Sequence, residues 1–170
     1  MVSRVRRAVI LLGIAILLHN IEEWWALGLM PETLERLRDF SGLPLPVQDL
    51  AAVRAGIAAF AVFPLVILWR FAVQPTPRLT FLACMIAAMT AANAIVPHLA
   101  LAVAVGGYVP GLVSALALTL PLGLATLSRA RREAWLAPRR WLMAVVVGVA
   151  LLPAVLTGFW ALGELLAELA

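Results

Sequence analysis

The chain has no lysine, one cysteine and few charged residues of any kind. Charged side chains make up 13% of its 170 residues and hydrophobic ones 64%, and the mean hydropathy is +1.03. Such a composition lies far outside that of soluble globular domains. The single cysteine, Cys84, excludes an internal disulfide framework and a multi-cysteine metal site, and we interpret it as a small buried hydrophobe.

The alternating polar and apolar pattern of a transmembrane β-barrel is also lacking. The apolar runs are continuous, and a helix of about 20 residues crosses the hydrocarbon core. They predict an all-α integral membrane bundle that forms a single membrane domain over residues 1–170. The second and third spans are rich in Ala and Gly, and they are expected to pack tightly on each other. Five transmembrane helices are predicted near residues 8–28, 50–71, 79–103, 109–128 and 141–163.

All basic residues are arginines, and their distribution predicts the orientation of the bundle. With five spans, all arginines except Arg36, Arg38 and Arg54 fall on the side of the N-terminus. The positive-inside rule then predicts a cytoplasmic N-terminus, an outer C-terminus and a multi-pass protein of the inner (plasma) membrane. The same rule accounts for the net charge of +4 without a nucleic-acid partner, so membrane lipid is the expected partner. A short amphipathic helix is predicted in the first outer loop, at residues 32–40.

Three ionisable residues interrupt the first span. In the stretch HNIEE, residues 19–23, His19 shares a helical face with Glu22 and Glu23. If the hydrocarbon begins at Ala8, the helical rise places His19 roughly 16 Å along the span and the glutamates about 21 to 23 Å along it. Carboxylates at such a depth are costly unless they are paired, hydrated or protonated, and by default they are functional candidates.

The third span carries Asn93 and His98 at a similar depth. Counted from Leu79, the two residues lie roughly 21 Å and 28 Å along the span. Pro97 has no N–H to bond the carbonyl of Asn93, so a kink or widened turn is expected there. A regular helix would place Asn93 and His98 on different faces, whereas a widened turn brings them closer together.

Further polar residues lie at comparable depth on the second and fourth spans. Arg54 is about one turn inside the second span, and the stretch YVPGLVS, residues 108–114, opens the fourth. Arg54, Tyr108, Gly111 and Ser114 are predicted to bind the substrate. Taken singly, Tyr108 also fits an interfacial belt residue, Gly111 helix-entry geometry and Ser114 a hydroxyl that bonds the backbone.

In this order, HNIEE, the Asn93–His98 pair and YVPGLVS resemble the signature motifs of the HXXEE family, small multi-pass bacterial membrane proteins without an established activity. The resemblance covers most of the chain. The family pattern spaces its Asn and His four residues apart, not five, and closes its third motif with Thr where this chain has Ser114. The resemblance implies these motif positions: His19, Glu22, Glu23, Asn93, His98, Tyr108, Pro110 and Gly111.

These residues favour a membrane-embedded enzyme with a polar pocket in the outer half of the bilayer. His19, Glu23 and His98 offer the donors of a divalent metal site, such as zinc or iron. Metal-bound water could then hydrolyse an ester or amide in a lipid-like or small apolar substrate. Without a metal, a protonated glutamate beside His19 could isomerise or cyclise such a substrate. The predicted catalytic residues are His19, Glu22, Glu23, Asn93 and His98.

Two other classes remain open. One is a transporter or binding protein for a proton or small solute that uses the same residues, and the other is a scaffold protein whose polar core fixes helix register. No internal repeat and no polar ladder toward the cytoplasm is evident, which weighs against a conduction path. Either enzyme requires that His19, Glu23, Asn93 and His98 meet in one pocket.

Overall fold

The chain folds into a bundle of helices. A computed structural model describes residues 2–33, 35–36 and 50–169, and within these ranges it contains helices and short connections but no strand. The predicted all-α class is therefore confirmed for the described residues. The helices are α1 (Val2–Leu29), α2 (Leu50–Val73), α3 (Pro77–Val105), α4 (Leu112–Arg132) and α5 (Pro138–Glu168).

Four of these helices, α2 to α5, are long and apolar enough to cross a membrane. Their number indicates a multi-pass membrane protein. The helix outside this set is α1, which contains the polar stretch HNIEE. With 28 residues it is roughly 42 Å long, more than the thickness of the hydrocarbon core.

Most helices extend a few residues beyond the predicted spans, but α4 starts later than predicted. The fourth span was expected from residue 109, whereas α4 begins at Leu112. The reason is Gly111, whose φ of +81° is left-handed and cannot continue a right-handed helix. The amphipathic helix predicted at residues 32–40 lies mostly outside the described residues.

The last helix, α5, packs against both α2 and α3, while α1 packs against α2 and α4. Two glycines allow the close approach: a Cβ at Gly56 of α2 would meet the carbonyl of Phe159, and one at Gly148 of α5 would meet the carbonyl of Met85. Helices α2 and α3, which were expected to pack tightly on each other, do contact each other, but α5 lies against both of them and makes the more extensive contact with each.

Two apolar clusters lie on either side of the polar stretch of α1. The larger cluster includes Leu12, Phe71 and the fully buried Cys84, which is the environment predicted for this cysteine. The smaller cluster includes Leu27, against which Trp160 packs. The residues of HNIEE lie between these clusters along α1, so the fold holds them between two apolar layers.

Widened turns interrupt both α3 and α4 near the polar residues. In α3 the turn over Ala94–Leu99 is widened and kinked next to Pro97, because Val96 has an extended backbone with φ −131° and ψ 115° between two helical stretches. The widened turn expected at Pro97 is thus present, because proline cannot donate the hydrogen bond of a regular helix. In α4 a π-helical segment, Ala115–Thr119, precedes Pro121.

Candidate functional site

Three segments bring the predicted site residues together. Helix α1 supplies His19, Glu22 and Glu23, and the widened turn of α3 lies between Asn93 and His98. The side chains of His19, Asn93 and His98 are buried. The structure brings His19, Glu23, Asn93 and His98 into one polar cluster, and of these residues the cavities beside it are lined by Glu23 with either His98 or Asn93. The connection before α4 and the first turn of α4 add Tyr108, Pro110, Gly111 and Ser114.

The backbone fixes the proton of His98. Its Nδ1 lies 2.9 Å from the carbonyl oxygen of Pro110. A carbonyl oxygen can only accept, so Nδ1 carries the hydrogen and donates it. In the neutral ring the unprotonated nitrogen is then Nε2, which lies 3.3 Å from Nδ2 of Asn93.

The amide of Asn93 assigns the proton of His19. Its Nδ2 can only donate and lies 3.4 Å from Nε2 of His19, so in the neutral ring Nε2 accepts and Nδ1 carries the hydrogen. Nδ1 lies 3.2 Å from the hydroxyl oxygen of Ser114, which lies 3.4 Å from the carbonyl oxygen of Gly111. Nε2 also lies 3.8 Å from a carboxylate oxygen of Glu23.

The two Nε2 atoms and the Glu23 carboxylate form a metal-type group, that is, a set of donor atoms suited to a metal ion. Ligand atoms of His19, Glu23 and His98 all lie within 4.8 Å of one another. Zinc holds nitrogen and oxygen ligands at about 2.1 Å, so a modest side-chain adjustment would close this group around one ion. Hydrogen bonds at the two Nδ1 atoms are the outer-shell partners that metal-binding histidines use.

Gly111 lies between the two imidazoles and has no room for a side chain. A Cβ there would be 2.8 Å from Cε1 of His98 and 2.9 Å from Cε1 of His19. The rings themselves pack edge to face, with centroids 4.7 Å apart and an interplanar angle of 89°. A glycine is therefore required both by its positive φ and by the closeness of the rings.

Glu22 caps the start of α4 from a different helix. One carboxylate oxygen accepts from the backbone N–H of Ser114 at 2.7 Å, and the other accepts from the N–H of Val113 at 3.3 Å and the hydroxyl of Tyr108 at 2.8 Å. The residue before α4, Gly111, has no side chain with which to cap it. Glu22 supplies the acceptors that these first-turn N–H groups need, and its charge favours the helix N-terminus.

Tyr108 lies in the connection between α3 and α4, outside the helices. Partial burial and the hydrogen bond to the Glu22 carboxylate raise the pKa of Tyr108 to about 12. The phenol therefore stays protonated and donates to Glu22 at neutral pH.

The model of a protein family described as a protein of unknown function with HXXEE motif matches residues 10–126, more than half of the chain. The chain belongs to this family. Its HXXEE motif is His19 with Glu22 and Glu23, so the histidine and second glutamate join the metal-type group while the first glutamate caps α4. No curated protein and no solved structure matches the chain.

Arg54, predicted to bind substrate, contacts the HXXEE helix at a different point. Its Nε donates to the carbonyl oxygen of Trp24 at 3.0 Å, and its guanidinium lies 3.8 Å from the centre of the Trp24 ring. Gly28 leaves the space in which the guanidinium sits. These contacts join α2 to α1, so substrate binding by Arg54 stays a prediction, as it does for Tyr108 and Ser114.

The sequence analysis missed Asn20. It is buried, donates from Nδ2 to its own helix at the carbonyl oxygen of Ile16, 2.8 Å away, and lines a cavity with Glu23 and Asn93. Its position inside HNIEE could have indicated its place in the site, because Asn20 lies three residues before Glu23 and thus on the same helical face. The predicted site residues were chosen mainly among ionisable groups, so the amide of Asn20 was not included.

Two cavities of about 40 Å³ each border Glu23. The first lies beside His98 and Pro110 and extends to Thr33, near the end of α1. The second is lined by Asn20 and Asn93 on one side and by residues of α2 and α5 on the other. Each has room for roughly three water molecules, so water and a slender part of a substrate can both reach Glu23.

Proposed function

We propose that the protein is a membrane-embedded, metal-dependent hydrolase that acts on an ester or amide of a lipid-like or small apolar molecule. The observation that carries this proposal is the direction of the two imidazoles. Pro110 and Ser114 each engage an Nδ1, which leaves the Nε2 atoms of His19 and His98 as lone-pair donors beside Glu23.

The donor set defines the metal class. Two imidazoles and one carboxylate suit zinc or iron(II), and three protein ligands leave a coordination position for water. A metal held by His19, Glu23 and His98 would lower the pKa of a water molecule enough to supply a nucleophile at neutral pH. In the hydrolysis, water would add to the substrate carbonyl carbon, the bond to the alcohol or amine would break, and the proton lost by the water would pass to that leaving group.

Asn93 fits a role in stabilising the oxyanion. Its amide nitrogen lies 3.4 Å and 3.3 Å from the Nε2 atoms of His19 and His98. A metal that takes up both lone pairs would free the amide N–H groups to donate elsewhere. An amide that is already positioned beside the reacting carbonyl can stabilise the negative charge that develops on its oxygen.

A metal-free enzyme is the second candidate. The amide of Asn93 already satisfies both Nε2 atoms, so the cluster is hydrogen-bonded without an ion. Glu23 beside His19 would then exchange a proton with an apolar substrate in an isomerisation or cyclisation.

The proposal includes five spans with the N-terminus in the cytoplasm, the C-terminus outside and the inner membrane as the location. The contacts of α1 with α4 support α1 as the fifth span, because His19 and Glu22 of α1 bond to Ser114 of the apolar helix α4. The distribution of arginines supports the orientation.

Metal analysis of the purified protein tests the choice between the two enzymes. After equilibration with zinc or iron(II) and removal of free metal, we expect one equivalent per chain. His19→Ala, His98→Ala and Glu23→Gln should lose it, whereas Glu168→Gln, an exposed control on α5, should retain it. A wild-type protein that binds neither metal overturns the hydrolase proposal and leaves the acid–base reaction.

A further inference from the structure

The cavity between Glu23 and α5 lies beside the polar cluster. Its polar wall is formed by Glu23 and Asn93, and its opposite wall by apolar residues that include Ile57, Phe60 and Leu156. One continuous space is therefore polar at one end and apolar at the other.

The packing of α2 and α5 explains why a space exists here. The helices touch at Gly56, where the backbone of Phe159 is too close for a Cβ. Both contain an internal proline, Pro64 in α2 and Pro153 in α5, where a regular helical hydrogen bond is lost. The cavity begins at the glycine contact, since Gly56 and Phe159 line it, and extends toward the levels of these prolines as far as Phe60 and Leu156.

Phenylalanine rings line the way from this cavity to the lipid. Phe60 and Phe159 pack edge to face with centroids 5.1 Å apart, and the ring of Phe63 lies 6.3 Å from that of Phe159. Phe63 is 61% exposed, whereas Ile57, inside the cavity, is 6% exposed. Hydrocarbon surrounding the bundle therefore contacts Phe63 directly but would reach Ile57 only by entering the cavity.

We propose that this cavity binds an unbranched alkyl chain, which enters from the hydrocarbon core between α2 and α5 and presents its functional group to Glu23 and Asn93. The volume of about 40 Å³ has room for a few methylene groups and favours an unbranched tail over a branched or ring-shaped one. The inference rests on the proposed function and names its substrate class: an ester or amide of a straight-chain amphiphile.

Photolabelling tests this site without knowledge of the natural substrate. The probe is a long-chain alcohol with a diazirine a few carbons from the hydroxyl, added to the full chain in phospholipid vesicles and located by peptide mass spectrometry. We expect labelling of Ile57 that excess unlabelled straight-chain alcohol abolishes and a branched alcohol does not. Phe63 should be labelled as well, but without saturation.

Three variants make the test specific. Leu156→Trp fills the cavity and should lower labelling of Ile57 to the level seen with excess competitor. Phe159→Ala widens the entrance of the cavity and should raise the labelling of Ile57. Phe63→Ala, at the exposed neighbouring ring, should leave the labelling of Ile57 unchanged. Labelling confined to Phe63 and other exposed side chains, or labelling of Ile57 that never saturates, overturns the proposal.

Metal content separates this inference from the proposed function. Leu156→Trp changes the apolar wall of the cavity and replaces none of the three metal-binding residues, so it should keep one equivalent of metal while it loses labelling. A protein that binds metal but shows no saturable labelling retains the hydrolase proposal and loses the alkyl-chain site. A protein that binds no metal but labels Ile57 saturably retains the chain site alone.

Discussion

At the scale of single residues, the decisive feature is the set of partners that orient the two histidines. Here Pro110 and Ser114 take one nitrogen of each ring, and the other two nitrogens converge on a single amide, that of Asn93. The amide of Asn93 can therefore change its hydrogen-bond partners when a metal or substrate binds.

Gly111→Ala should damage the site more than any exposed glycine substitution. The new Cβ would be 2.8 Å from the His98 ring, and alanine at a φ of +81° adds about 1–2 kcal/mol of backbone strain. We expect a lower thermal midpoint in detergent and loss of bound metal. Gly107→Ala is the matched control, because a Cβ there meets nothing within 4 Å, and equal effects of the two substitutions would contradict this account.

Titration of Tyr108 reports the bond to Glu22 directly, since it is the only tyrosine of the chain. Ultraviolet absorbance should show phenolate forming with a pKa of about 12 instead of the usual 10. Because the folded pKa is the higher one, the bond's contribution to stability is complete below pH 10 and is lost as the pH rises through about 12. Glu22→Gln should move the midpoint back toward 10, and an unchanged midpoint would show that Glu22 is not the cause.

At the scale of elements, the site depends on helix ends and interruptions. The widened turn of α3 brings His98 to Asn93, and the glycine before α4 lets that helix start against both histidines. Regular helices in these positions would leave the same side chains on different faces. Irregular backbone is tolerated at such a depth only where it is buried in protein or lines a cavity, as it does here.

Replacement of Glu22 should destabilise α4 without removing the metal. Glu22→Ala leaves the N–H groups of Val113 and Ser114 without their acceptor, a loss of about 1–2 kcal/mol, and Glu22→Gln should cost less because it keeps one acceptor oxygen. Thermal unfolding in detergent measures the difference, with Glu164→Gln as a control within about 0.5 kcal/mol of wild type. A stable Glu22→Ala protein that has lost its metal would make Glu22 a ligand instead of a cap.

Part of this site could be predicted from sequence because it follows from helix geometry alone. The fixed rise per residue predicted Glu23 and Asn93 at one depth, with His19 about one helical turn away from them, and the missing N–H of Pro97 predicted the widened turn. The contacts of Glu22 with α4 and of Arg54 with Trp24 could not be predicted, because they depend on which helices are neighbours. The same limit applies to Gly111, whose necessity appears only once both rings are in place.

At the scale of the whole molecule, α1 lies alongside α2 over the thickness of a membrane. Arg6 near the start of α1 donates to the carbonyl oxygen of Val73 at the end of α2, 3.2 Å away. Trp24 near the other end of α1 accepts from Arg54 in the second turn of α2. Between Arg6 and Trp24 the helical rise adds up to about 27 Å, close to the roughly 30 Å of the hydrocarbon core. A helix held in this way should cross wherever α2 crosses, despite its polar residues.

Reporter fusions test whether α1 crosses, because this decides on which side the N-terminus lies. With α1 as a fifth span, a fluorescent protein fused before Met1 should fluoresce in the cytoplasm, while alkaline phosphatase fused after Ala170 should be active outside. If α1 does not cross, both ends lie on the outer side, since α2 to α5 keep the orientation that their arginines set. A fluorescent protein inserted after Gln74, between α2 and α3, is the control, because it should lie in the cytoplasm in both cases. Two ends on the same side would contradict the five-span bundle. The cluster of His19 and Glu23 would then not lie within the membrane, where a substrate from the bilayer has to reach it.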